Sequence, residues 1–78
     1  FDFQIQPNPF QSEIIIITNR QDLKSSLFLL SDLTGKALFE KEIPGITERI
    51  ALDYLLPGVY VATLIKDGIR IRKKLITL

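Results

Sequence analysis

Nine carboxylates are spread along the 78-residue chain, at Asp2, Glu13, Asp22, Asp32, Glu40, Glu42, Glu48, Asp53 and Asp67, and there is no histidine or cysteine to work beside them. Nucleophilic catalysis of the Ser-His-Asp or Cys-His kind therefore cannot be assembled. A carboxylate pair alone can cleave a glycosidic bond. Most of these acids, however, stand in turns or at alternating strand positions, which is the pattern of a solvated surface, and so small a domain has no room for a deep cleft. A typical structural zinc site is excluded for want of ligands. Calcium wants several oxygens from one loop, and "SDLTG" and "KDG" bring one carboxylate each. All four glycines lie in turns, with no glycine-rich phosphate loop among them. The chain is read as a non-enzyme with no metal and no cofactor.

The other charged feature is basic. Arg70, Arg72, Lys73 and Lys74 crowd into "IRIRKKLITL". The net charge is only +1, so no overall field selects nucleic acid, and no aromatic is interleaved for base stacking. The pattern fits an edge strand protected by charge or a docking surface for a partner. No apolar run approaches the ~20 residues of a membrane-spanning helix, and nothing reads as a signal peptide. The chain lacks methionine even at position 1. It is therefore expected to be a piece of a longer polypeptide, forming one domain over residues 1–78.

The elements that must carry these residues are strands. Apolar residues recur with period two or in short runs between turn residues. Seven strands are expected: Phe3 to Gln6, Glu13 to Thr18, Ser26 to Asp32, Lys36 to Glu42, Thr47 to Leu52, Val59 to Lys66 and Ile69 to Leu78. Phe28 and Leu30 are expected inside. In "DLTGK", Gly35 supplies positive φ and Asp32 bonds the backbone ahead. Asp67-Gly68 is the pair favoured in type I′ hairpins, so the last two strands are expected to be antiparallel neighbours. "LPG" and "IPG" each set Pro and Gly at successive turn positions, and "TNRQDLKS", Thr18 to Ser25, is the longest polar link. Seven strands without helices mean an antiparallel β-sandwich, expected to be of immunoglobulin type, with crossed β-arches and an open barrel as alternatives. With no cysteine to staple it and 46% hydrophobic residues, the fold must rest on packing.

The opening "IQPNPFQSEIIII" breaks structure and then commits to it. Pro7 and Pro9 lack backbone donors and cannot sit in a central strand, and each biases its predecessor towards extended backbone. A stiff corner is expected. It would move the chain between sheets, or from an upstream linker onto the domain edge. Phe10 would plug the sandwich end, with Ile14 and Ile16 inside and Ile15 and Ile17 facing out.

Three pieces in order, "IQPNPFQSEIII", "LFLLSDLTGKAL" and "LPGVYVATLIKDGIRIRKKLITL", resemble the C-terminal secretion domain of type IX secretion substrates, the Por secretion system tail. The resemblance covers nearly the whole chain. Its "PNP" element matches Pro7, Asn8 and Pro9, its "DxxG" turn Asp32 and Gly35, its "GxY" element Gly58 and Tyr60, and its final lysine-bearing strand Lys73 and Lys74. The family often carries an aromatic where Ser31 stands here. The resemblance implies a seven-stranded immunoglobulin-like sandwich at the end of a larger secreted protein of Bacteroidetes. Such a tail directs an upstream cargo domain from the periplasm through an outer-membrane translocon to the cell surface or beyond. It is then removed by a sortase-like peptidase. None of the matched residues is catalytic; they are recognition candidates. The competing reading is a retained immunoglobulin-like structural or adhesive module of a cell-surface protein, since such modules share this opening.

Overall fold

Period-two alternation becomes seven strands in a computed structural model of the chain that describes residues 3–18 and 26–78. They are β1 (Phe3–Gln6), β2 (Glu13–Thr18), β3 (Ser26–Ser31), β4 (Ala37–Ile43), β5 (Thr47–Ala51), β6 (Gly58–Lys66) and β7 (Ile69–Thr77). Two antiparallel sheets result, one with strand order β1-β2-β5 and the other with β4-β3-β6-β7. The arrangement is a β-sandwich, and its strand order is compatible with the immunoglobulin type. The polar link Thr18 to Ser25 falls, beyond Thr18, outside the described residues, as does Asp2.

The alternation decides what is inside. Phe3, Ile14, Ile16, Phe28, Leu30, Ile43, Ile50, Ala62, Leu64 and Leu75 meet between the sheets, joined by Phe10 and Leu52 from the connections. Phe28 and Phe39 pack edge to face with centroids 6.3 Å apart, the arrangement the ring quadrupoles favour. Ile15 and Ile17 are half-buried on the outer face. Their cross-strand neighbours are Gln6 and Gln4 on one side and Arg49 and Thr47 on the other. Arg49 also reaches Glu13 at 2.7 Å, diagonally past Ile15.

Strand ends shift by a residue from the expected places for local reasons. β3 stops at Ser31, one residue before Asp32, because Asp32 already belongs to the turn. Its N–H donates to Lys36 O at 3.0 Å, and Gly35 N–H donates back to Asp32 O at 3.1 Å. Gly35 has φ of 93°, a conformation that penalises any Cβ. Asp67 and Gly68 both take positive φ, 51° and 78°, with Lys66 and Ile69 paired across them. That is the type I′ hairpin the dipeptide favours. The "IPG" link behaves differently from "LPG". Gly58 adopts φ of 156° at the first position of β6, whereas Gly45 is not among the positive-φ residues. Residues 44–46 cross from one sheet to the other, where Ile46 O accepts from Thr18 N–H at 2.8 Å.

The two open sides of the sandwich are each closed by a lysine. Lys41 pairs in register with buried Phe28, and Glu48 with buried Ile16, so both face inward. They meet at 2.6 Å across the gap between sheets. On the opposite side Lys73, in register with buried Ala62, lies over the Phe3 ring at 5.4 Å from its centroid. One ammonium is thus held by a carboxylate and the other lies against a ring face.

Candidate functional site

The "PNP" corner does what its missing donors require. β1 pairs with β2 in the three-stranded sheet through Gln6. Within four residues the chain has crossed to the other sheet, where Phe10 forms a parallel bridge with Thr77. Both X-Pro bonds in the corner, Gln6-Pro7 and Asn8-Pro9, are cis. Neither proline can donate to the edge of β7, so the side chain of Asn8 does so. Its Nδ2 donates to Lys74 O, and its Oδ1 accepts from Ile76 N–H, both at 3.0 Å. Backbone takes over at Phe10, whose N–H donates to Ile76 O at 2.9 Å and whose C=O accepts from Leu78 N–H at 2.8 Å. The Asn8 amide offers donor and acceptor side by side and here uses one of each to replace a strand residue. Phe10 itself is buried, as expected of a plug.

This clamp ends at Lys74. Ile76 directs both its N–H and its C=O away from β6, so strand alternation directs those of Arg72 and Arg70 the same way. β7 is thus an edge strand in two halves: the end after Lys73 is covered by the corner, and the beginning carries two arginines along an edge that pairs with no other strand among the described residues.

Register brings the sequence-predicted residues to one end of the four-stranded sheet. Gly58 pairs with Thr77 and Tyr60 with Leu75. Lys74 pairs with Val61, and Val61 with Ser31, so the Asp32–Gly35 turn begins one residue beyond that row. Pro7, Asn8 and Pro9 cross the same end. The Asp67-Gly68 hairpin, at the far end, contributes no motif residue. Tyr60 is buried with its hydroxyl donating to Leu56 O at 2.5 Å, a tie across the β5–β6 corner like the tyrosine corner of immunoglobulin-type sandwiches. Asp32 Oδ1 accepts from Thr34 N–H at 2.9 Å, Thr34 Oγ1 at 2.6 Å and Lys36 N–H at 3.0 Å. The Thr34 hydroxyl is the largest cause holding this carboxyl below its ordinary value of 3.8. Desolvation, next in size, opposes it, and the Lys36 and Thr34 N–H groups and the Lys36 charge add to the lowering.

The two lysines of the last strand separate. Lys73 is half-buried and lines a shallow groove of about 290 Å³ with Gln4, Ile5, Gln6 and Asn8. Lys74 is exposed on the outer face. Sequence inspection treats them as equivalent; the period of two was the available signal that they are not. It also misses the Asn8 amide as a backbone substitute, although an asparagine between two donorless residues hints at it.

With this geometry in place, a family model, the secretion system C-terminal sorting domain (Por secretion tail), matches residues 4–78. The chain belongs to that family. It is a type IX secretion C-terminal sorting domain, and the family is a signal family, not a catalytic one. No curated protein matches the chain. Within the sorting domain, the motif residues Pro7, Asn8, Pro9, Asp32, Gly35, Gly58, Tyr60 and Lys74 all stand around the clamped end, while Lys73 sits behind it against Phe3.

Two outcomes follow for the sorting domain. Asn8→Ala should lose about 1–2 kcal/mol in urea unfolding, since it removes two hydrogen bonds. Gln11→Ala, on the same exposed segment, should stay within about 0.5 kcal/mol of the parent; equal losses would contradict the clamp. For Asp32 the folded carboxyl is the stronger acid, so its contribution is fully present above the unfolded value and lost as pH falls through the folded one. Wild type should melt above Asp32→Asn at neutral pH, and the gap should begin to narrow below about pH 3.9 and close as pH falls through the lower folded value. A gap independent of pH would contradict this.

Proposed function

We propose that this sorting domain directs a cargo domain of the same polypeptide across the outer membrane through the type IX translocon, the clamped end and adjoining edge of β7 forming the surface that is read. The observation carrying this reading is the convergence of Pro7–Pro9, Asp32–Gly35, Gly58, Tyr60 and Lys74 on one end of the four-stranded sheet. Most of these residues act first on the fold. Gly58 permits the turn into β6, Tyr60 ties the corner, and Asp32 and Gly35 shape the β3–β4 turn. What they present jointly is the covered half of β7 beside its open, arginine-bearing half. An unpaired edge of that kind can receive a strand from a partner, and its charge keeps it from adding to its own kind indiscriminately.

On this reading the cargo passes through the periplasm to the cell surface or the medium. A sortase-like peptidase cuts upstream of the Pro7–Pro9 corner, where the chain enters the domain. The partners are the translocon and that peptidase; no nucleic acid and no cofactor takes part. A retained structural or adhesive module is the competing role.

A fusion of residues 1–78 to the end of an exported reporter tests this in a host with type IX machinery. The reporter should reach the surface or medium, and should remain periplasmic without the tail. Arg70→Gln, Arg72→Gln and Lys74→Gln together alter only exposed side chains and should reduce export with the tail still folded. A folded, intact tail that leaves the reporter periplasmic would overturn the sorting role and favour the retained module. Full export of the triple variant would remove the β7 edge from the recognition surface.

A further inference from the structure

The outer face of the four-stranded sheet carries charge of one sign along each margin. Pairing register lays its side chains in rows. One row runs Glu42, Leu27, Ile65, Arg70; the next runs Glu40, Leu29, Thr63, Arg72. Val61 and Lys74 continue the pattern, and Val59 and Ile76 close it. The centre is apolar or neutral, the β4 margin acidic and the β7 margin basic. Leu27, Leu29, Val61, Ile65 and Ile76 are half-buried, and Val59 is exposed. An open groove of about 390 Å³ runs over Leu29, Val61 and Thr63, with Arg70 and Arg72 on one wall and Leu33 of the β3–β4 turn at its end.

Among the described residues, Glu40, Glu42, Arg70 and Arg72 form no ion pair, whereas Glu13 and Arg49 on the opposite outer face pair with each other. Within one chain Glu40 and Arg72 are three strand spacings apart, about 14 Å, too far to meet. A uniformly basic face would call for an acidic partner. A face divided this way is instead the complement of its own two-fold image.

We propose that this face is the contact surface of a symmetric dimer of the sorting domain, related by a two-fold axis parallel to the strands. Such an axis reverses the strand order across the face and keeps the position along each strand. The row Glu40-Leu29-Thr63-Arg72 then lies against Arg72-Thr63-Leu29-Glu40 of a second copy. Glu42 likewise faces Arg70, and Leu27 faces Ile65. An axis across the strands would set acid against acid and base against base, so charge selects the first arrangement. An apolar centre inside a charged rim is the usual anatomy of an interface, and aligned sheet packing holds such faces about 10 Å apart. Four strands and about three to four rows give about 400 Å² per chain. That is below the ~1,200 Å² total of a standard stable interface. The dimer is therefore weak, populated at high local concentration, and salt-sensitive through its rim.

Sedimentation velocity of the 78-residue chain tests the proposal, from ~10 µM to ~1 mM, in low and high salt. Wild type should shift towards dimer with concentration, and less so in high salt. Glu40→Arg and Arg72→Glu should each be monomeric across that range, because each sets like charges opposite one another twice. Their equimolar mixture should associate, because residue 40 of each variant then faces an opposite charge at residue 72 of the other. A monomeric wild type, single variants that dimerise as well as wild type, or a mixture that stays monomeric would each overturn it. Export of the reporter fusion is a separate readout, so failure here leaves the sorting role where that assay puts it.

Discussion

The fold hangs on a substitution of side chain for backbone at Asn8. A chain leaving the three-stranded sheet must reach the edge of β7 through a corner where two of three residues cannot donate. Asn8 lends the edge one donor and one acceptor, and Phe10 follows with its own backbone and a buried ring. The N-terminal segment thereby serves both sheets, β1 in one and Phe10 against the other, and the last strand is held at its far end by residues 66 and 68 positions earlier in the chain. In a chain with no disulfide, joining the start to the finish does part of the work that a cross-link does elsewhere.

Because of that constraint, structural and signal residues are hard to separate here. Gly58 and Tyr60 set the entry to β6, and β6 carries β7 at full length. Lys73 closes one open side of the sandwich over Phe3, and Lys41 closes the other through Glu48. A family signature made of such positions marks a surface by fixing the strands beneath it. The chemistry shown outward is left to side chains the signature does not name, above all Arg70 and Arg72.

Much of this was legible in the order of residues. The alternation in Ser26 to Ser31 and Glu13 to Thr18 places Phe28, Leu30, Ile14 and Ile16 inside, and Asp67-Gly68 announces its hairpin. Turn residues carry their backbone preference locally, so they can be read one at a time. The crossing at Pro7–Pro9 was legible as one of two outcomes, because proline forbids pairing without saying where the chain goes next. The different behaviour of Gly45 and Gly58 was not legible, since both follow proline and only the sheets they join distinguish them. Long-range register was hidden too. Nothing local says that Glu40 shares a row with Arg72, or that the ring Lys73 meets across the gap is that of Phe3.

The most direct test of the account is amide hydrogen exchange, residue by residue, on the isolated domain at low concentration. The division of β7 into a clamped half and an open half predicts slow exchange at Ile76, Leu78 and Phe10 and fast exchange at Arg70 and Arg72. Exchange at Ile76 as fast as at Arg72 would mean that the corner does not hold the last strand, and the account of the recognition surface would fall with it.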